Sequence, residues 1–418
     1  VIEGILVSDM STLLSFDDAL DRLLAAAGPL DVESRCAMAA LGQVLAEDVA
    51  ADRDFPPGPR SAMDGFALRA ADTGDAGATL RVAGEVPAGH PGTGIRVGAG
   101  EAARVFTGAV VPEGADSVVM VELTEEDRAK GTVLVRERVT SGQHVRLRGE
   151  EMRAGQVVLE RGAVLGPAEA AALASVGREE VAVHRRPSVG VLATGDEVVD
   201  ASAVPEPHQV RNSNARGLMA ALGVYALPAE DLGIARDTRA GLDEAIARGL
   251  RHDVLLVTGG VSVGAYDLVR GAIERAGAEV LFHGVAIRPG KPVLAAKCGP
   301  RFVIGLPGNP VSTFTIFEVL VVPLLRWLSG FPEPRRAWVP ATLTAPLKRK
   351  PGRRTFALAR VRAGDAGLEA EPAATRGSGD VLSLARANAF VDVSEGSHAL
   401  PAGTILPALV WREAAPQR

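Results

Sequence analysis

The spacing of apolar positions changes character along the chain. Phe16, Leu20, Leu23 and Leu24 recur at helical intervals in SFDDALDRLLAAAGP. Ser15 can cap that helix, Asp17 and Asp18 suit its positive end, and Gly28-Pro29 stops it. From about Asp52 to Arg146 the period shortens. TLRVAGEV, AARVFTG, ADSVVMVEL and GTVLVRERV are short β-rich runs separated by glycine turns, which predicts a separate small β domain. GPAEAAALASVG then predicts a helix, with Pro167 at its first position and Gly177 at its end.

An alternation follows. RPSVGVLATG, VYALPAED, DVLLVTGG, EVLFHGVAI and RFVIGLPG read as strands. NARGLMAALG, TRAGLDEAIARG and DLVRGAIERAG read as helices between them, and VSTFTIFEVLVVPLLRWLSG as one long helix. Alternating units of this length predict a doubly wound, mostly parallel α/β domain. After FPEPRR the pattern returns to short strands through Arg418, a C-terminal β domain. The fold class expected is therefore α/β multidomain, with a central doubly wound sheet, flanking small β domains and a C-terminal β-barrel-like domain. The expected parts are residues 10–27 with 187–331 (α/β), 28–51 with 147–186 (elongated connector), 52–146 (small β) and 332–418 (C-terminal β).

Composition narrows the picture. A chain of 418 residues, 47% hydrophobic and 23% charged, is too long for one core and too apolar to be disordered. A net charge of −6 gives no general reason to bind nucleic acid or an anionic membrane. Two cysteines, Cys36 and Cys298, make neither a disulfide framework nor a zinc site, so both are expected as buried thiols. The opening VIEGILVSDM lacks a basic n-region and does not read as a signal peptide; Met10 offers an alternative start, with Val1–Asp9 upstream of it. Glu318 and Pro323 interrupt STFTIFEVLVVPLL, which is expected to be too short to span a bilayer, and the expected location is the cytoplasm.

In open α/β sheets ligands bind beyond the carboxyl ends of the strands. Three such ends carry unusual loops: TGDE (Thr194, Gly195, Asp196, Glu197), TGGVSVGAYD (Thr258 to Asp267) and GLPGNPVS (Gly305 to Ser312). Glycines permit close backbone approach, hydroxyls add donors, and the chemistry suits an anion such as phosphate. Neither G-x-x-x-x-G-K-[ST] nor a strand-linked G-x-G-x-x-G is present, so this is neither a P-loop nor a Rossmann dinucleotide site. Gly260-Val-Ser262-Val-Gly264 matches the nucleophile elbow of serine hydrolases. Asp267 follows only five residues on, His283 sits within a strand pattern and His398 falls in another domain. No general base for Ser262 is therefore evident, which favours it as one wall of an anion cradle. Asp196, Glu197 and Asp267 beside an anion site point to Mg²⁺ between protein and phosphate. RPGKP (Arg288 to Pro292) places two cations on a proline-stiffened turn, an oxyanion clamp or an ordinary surface turn.

SAMDGFA, TGAVVPEGADSVV, RGEEM, LATGDEVV, RNSN, TGGVSVGAYD, RPGKP and GLPGNPVS, in that order from Ser61 to Ser312, resemble the molybdopterin molybdenumtransferase family, which includes the C-terminal domain of gephyrin. GRRTFALARV and GSGDVLSLARANAF resemble it more loosely. The resemblance implies a molybdopterin-binding type of α/β domain and the last step of molybdenum cofactor synthesis. The enzyme would take adenylyl-molybdopterin and molybdate, hydrolyse the adenylate with Mg²⁺, and place molybdenum on the dithiolene sulfurs. It further implies a homodimer whose cleft is shared between subunits, and a possible molybdopterin adenylyltransferase partner.

Carried over residue by residue, the resemblance makes Asp64, Thr107, Glu197 and Asp267 catalytic, with Asp267 as the metal ligand. Substrate binding falls to Thr194, Gly195, Asp196, Gly259, Gly260, Ser262, Gly264, Arg288, Lys291, Pro307, Gly308, Asn309, Pro310 and Ser312. The family commonly has RGED where this chain has Arg148-Gly149-Glu150-Glu151, so Glu151 stands outside the expected core site. Two alternatives remain at this point: an ATP-using molybdopterin adenylyltransferase with the same α/β domain, and a scaffold that keeps the fold without the chemistry.

Overall fold

The computed structural model describes residues 13–74, 77–260, 268–348 and 350–412, which fall into two compact units. The larger unit holds residues up to 35, 40–46 and 182 onward; the smaller holds 36–39 and 47–181.

In the larger unit a six-stranded sheet runs in the order Ala229–Ala235, Val189–Thr194, Val254–Thr258, Arg301–Leu306, Leu294–Cys298, Glu279–His283. The first four strands pair in parallel. Leu294–Cys298 runs against both its neighbours, so Glu279–His283 regains the common direction. The mostly parallel sheet is as expected, but Leu294–Cys298 is a strand the helical alternation gave no place for. It forms a hairpin with Arg301–Leu306 across Gly299-Pro300 instead of feeding a crossover helix. VYALPAED also reads late: the strand starts only at Ala229, because Leu222 to Leu227 finish the preceding helix turn.

The N-terminal helix, Phe16–Ala25, starts as its sequence dictates. Ser15 Oγ accepts from Asp18 N at 3.1 Å, and Phe16, Ala19, Leu20 and Leu23 are buried. The long apolar helix spans 310–328 but is not uniform. It is α-helical over Pro310–Ile316, π over Phe317–Val321 and α-helical again over Val322–Leu328. Pro323 has no N–H to give the turn before it, and widening that turn relieves the clash with its ring. At 19 residues this helix is long and apolar enough to cross a membrane, contrary to the length argument above. Its placement is that of a core helix, with 83% of the stretch buried in the fold.

The C-terminal strands close into a barrel. Arg354–Gly364 pairs with Gly367–Pro372, then Val339–Leu343, Ile405–Val410 and Ala389–Val393 follow, and the last returns to Arg354–Gly364. Small inward residues such as Ala341, Ala359, Ala370, Ala389 and Ala408 let so few strands close. One further strand, Ile287–Arg288 from the RPGKP segment, pairs in parallel with Arg354 and Thr355 on the outside of the barrel.

The smaller unit is built on a six-stranded sheet in the order Ser117–Met120, Gly65–Leu68, Glu101–Val105, Ala78–Val86, Thr132–Val135, Thr124–Asp127. Phe66, Leu68, Leu80, Val119, Val133 and Val135 fill one face. The predicted helix is present at Pro167–Ser175.

The cysteines depart from expectation. Cys36 is exposed, at the end of a strand with four exposed residues of five, and Cys298 is half-buried at a hairpin end with Sγ 3.5 Å from Ala276 O. Both sit at strand ends, and Cys298 is only partly covered, by the cluster that includes Ala278 and Val303.

Candidate functional site

The loops at the strand ends of the larger unit converge on a cleft of about 660 Å³. Thr194, Glu197, Gly259, Gly260, Pro307, Gly308, Asn309 and Pro310 line it, with Thr258 and Asn212 to Asn214. Gly259 has a φ of +91°, and a Cβ there would lie 2.6 Å from the Thr194 carbonyl oxygen. Only glycine lets these two loops approach so closely. Gly195 and Asp196 lie in the first loop but do not form the cleft wall.

Asn214 is a cleft residue that the sequence reading missed. Its Nδ2 donates to Gly308 O at 2.7 Å, tying the Ser213–Val224 helix to the third loop. Its Oδ1 is buried and has no partner, which leaves an acceptor ready for an N–H donor on a ligand. The RNSN stretch was the available signal, but nothing in its spacing separates a capping asparagine from a ligand-binding one. Asn212 is the cap, accepting from Ala215 N at 3.2 Å.

A second pocket of about 530 Å³ adjoins the first and shares Pro292, Pro307 and Asn309 with it. Arg288, Lys291 and Ser312 line one side. The barrel contributes Lys348, Arg353, Thr355 and Phe356. Among the described residues four cations and no carboxylate line this space, the electrostatics of an oxyanion site. The RPGKP turn is thus a pocket wall. Lys348 and Arg353 were not foreseen, because only closure of the barrel beside the α/β sheet brings them there.

Acids gather at the neighbouring strand ends. The Asp237 main-chain N–H donates to Asp196 Oδ1 at 3.3 Å. Burial pushes the Asp237 carboxyl above its usual range, and the charges of Asp196 and Glu197 push it further. Asp237 too was missed, since a single Asp after a strand reads as a helix-start residue. Among the described residues no group of three His, Cys, Asp or Glu could hold a metal ion.

The smaller unit presents its own pocket of about 530 Å³, lined by Phe55, Arg60, Ser61, Thr107, Arg146 and Glu151 among others. Asp64 lies just before the Gly65–Leu68 strand, and its Oδ1 accepts from Thr107 N at 2.7 Å and Thr107 Oγ1 at 2.8 Å. These bonds hold the Asp64 carboxyl below the ordinary carboxylate range, so it is ionised at neutral pH. Gly65 is obligatory for this arrangement: a Cβ would sit 1.8 Å from Val119 O on the paired strand. Glu151 pairs with Arg146 and reaches the same pocket as Thr107. Ser262, Gly264 and Asp267 lie outside the described residues.

Comparison with known proteins agrees with this arrangement along the whole chain. Residues 14–177 match the MoeA N-terminal region (domain I and II), 190–327 a probable molybdopterin binding domain, and 340–411 the MoeA C-terminal region (domain IV). A Staphylococcus aureus molybdopterin molybdenumtransferase is 36% identical over 87% of each chain. The Bacillus subtilis enzyme of the same name is 37% identical over 89% of this chain and 88% of its own. Two crystal structures of a molybdopterin biosynthesis moeA protein from Pyrococcus horikoshii, 32% and 29% identical, superpose with a TM-score of 0.81 over 96% of this chain and all of theirs. The flanking matches leave no place for the single-domain adenylyltransferase alternative. These matches, running end to end along a chain with this doubly wound sheet and closed barrel, make it a member of the molybdopterin molybdenumtransferase family, a family of transferases.

Proposed function

We propose that the chain inserts molybdate into adenylyl-molybdopterin and releases AMP. The observation that carries this reading is the pair of adjoining pockets: one has glycine-lined walls and hydroxyl donors, the other four cations. An adenylylated pterin needs backbone and hydroxyl donors along its pyrophosphate, which the first supplies. Molybdate is a tetrahedral dianion, and the second pocket offers Arg288, Lys291, Lys348 and Arg353 to it. Shared walls at Pro307 and Asn309 keep the two substrates adjacent.

The chemistry sets the demands on side chains. Cleaving the adenylate anhydride consumes a water and frees AMP. Each oxygen that leaves molybdate as water takes up two protons while a sulfur takes its place on molybdenum. Asp237, whose carboxyl is pushed up by burial and by the charges of Asp196 and Glu197, is the acid of this group most disposed to carry a proton, with Glu197 on the cleft wall beside it. Asp64 remains ionised and serves as a fixed anion or base, with Thr107 holding its orientation.

Mg²⁺ typically takes only one or two protein carboxylates plus substrate phosphate, so the acids at the strand ends need not form a full ligand set of their own. By the family resemblance Asp267, which lies outside the described residues, would hold the ion. Bound there, Mg²⁺ would offset charge on the anhydride and on the departing AMP. We further propose a homodimer in which the Asp64 pocket of one copy completes the cleft of the other, acting in the cytoplasm alongside the adenylyltransferase that supplies the substrate.

The test is incubation with adenylyl-molybdopterin and Mg²⁺, with and without molybdate, following AMP and pterin-bound molybdenum. We expect AMP release coupled to molybdenum incorporation and no demand for ATP. Molybdenum-free pterin after AMP release, or no AMP at all, would overturn the assignment.

A further inference from the structure

We propose that Arg354 is the positioning residue of the cation-lined pocket, setting the spacing between its α/β wall and its barrel wall. The inference rests on the reading of that pocket as the oxyanion site. Arg354 does not line the pocket; its neighbours Arg353, Thr355 and Phe356 do. Its main chain pairs with Ile287, and the next pair in register is Arg288 with Thr355, one pocket residue from each wall. Two strand residues therefore join the α/β sheet's RPGKP segment to the barrel, and Arg354 stands at that join.

Its side chain is held from three directions. Nη2 and Nε form ion-paired hydrogen bonds with Asp392 inside the barrel wall, at 2.6 and 3.0 Å. Nη1 donates to Asp17 of the N-terminal helix at 2.8 Å. The guanidinium lies 4.7 Å from the Phe16 ring centroid and 5.6 Å from that of Phe356, and the two rings meet edge to face at 5.0 Å. Phe16 and Asp17 belong to the helix packed on the α/β core, whereas Phe356 and Asp392 belong to the barrel. One planar group thus spans both bodies with fixed directions, as a lysine could not. Across the same join Arg288 Nη1 donates to Lys350 O at 2.7 Å, and Arg353 Nη1 to Ile287 O at 3.3 Å. A slip of the join would move two of the four pocket cations relative to the others.

Charge and position predict opposite signs here, which makes the inference testable. Asp17→Asn and Asp392→Asn each remove a negative charge near an anion pocket. Electrostatics alone would tighten oxyanion binding, whereas loss of the Arg354 anchor would loosen it. The experiment is calorimetric titration of the full-length chain with sodium molybdate and, separately, with AMP. We expect Asp392→Asn to weaken molybdate binding about tenfold, the scale of one charge-assisted hydrogen bond, with AMP affinity unchanged. Asp17→Asn, on an exposed helix face, should shift molybdate in the same direction by a smaller factor; it carries the test should Asp392→Asn fail to fold. Molybdate binding as tight as or tighter than that of the parent chain, or an equal loss of AMP affinity, would overturn the positioning role. If the parent chain binds no molybdate, or Lys291→Ala leaves its binding intact, the oxyanion reading fails and the inference fails with it.

Discussion

Asp237 shows how a single side chain can be held ionisable at a cost to the fold. Its carboxyl is pushed up by burial and by its acidic neighbours, so ionising it in the folded protein is unfavourable. An acid whose folded pKa lies above its unfolded value destabilises the fold once pH passes the unfolded value. Asp237→Asn should therefore raise Tm at pH 7 and leave it unchanged near pH 3, where the parent residue is protonated in both states. If Asp237 supplies protons to departing oxygen, the same variant should slow molybdenum incorporation about 100-fold, within the range typical of general acid catalysis. A variant that is both more stable and fully active would remove Asp237 from the mechanism while leaving its electrostatics explained. Asp64 is the opposite case, held ionised by two hydrogen bonds from Thr107.

The elements that carry the site are anchored at their opposite ends. Asp253, directly before the Val254–Thr258 strand, accepts from both Arg185 Nη1 and Nη2 at 2.7 Å, and from Ser188 N and Oγ at 2.8 Å. Although burial opposes ionisation, these four bonds prevail and hold its pKa down to about 2. The depression corresponds to about 2 kcal/mol of stability, fully present above pH 4 and lost as pH falls towards 2. Asp253→Asn should cost roughly that much in denaturant unfolding at pH 7, and the gap to the parent chain should close near pH 2. A gap independent of pH would mean that the residue acts by packing and not by charge. The 310–328 helix shows a second anchoring device. Its π turn carries Glu318, buried with its Oε2 2.9 Å from Tyr225 Oη and 2.5 Å from Arg336 Nη1. Burial pushes Glu318 up even against that guanidinium.

At the scale of the whole molecule, Asp64 belongs to the smaller unit and the strand-end loops to the larger. If two copies share each cleft, a heterodimer of Asp64→Ala with Asp267→Ala contains one cleft lacking both acids and one lacking neither. Mixing the two inactive variants under conditions that allow exchange should restore up to about half the parent activity per active pair, as twofold symmetry requires. Confirmed heterodimers with no AMP release would show that each chain's site is self-contained.

By itself the sequence determined what depends on neighbours along the chain. Ser15 caps the first helix because the donor it satisfies is three residues away. The parallel strands are legible as continuous apolar runs, since both faces of such a sheet are covered. The glycine loops that end them mark the cleft for the same local reason: backbone must come close there. Tertiary structure alone decided what depends on partners remote in sequence. Leu294–Cys298 becomes a strand only when a sheet edge receives it, and the π turn appears only where Pro323 must remain inside a buried rod. The pKa of Asp237 is set by burial and by Asp196 and Glu197, remote in sequence, and the empty acceptor of Asn214 by the loop at Gly308. The four described cations of the second pocket come from two segments, RPGKP and residues 348–353 before the Arg354–Gly364 strand, that no spacing rule connects. Charge acts through space, so a reading along the chain could name Arg288 and Lys291 but could not supply Lys348 and Arg353 to face them.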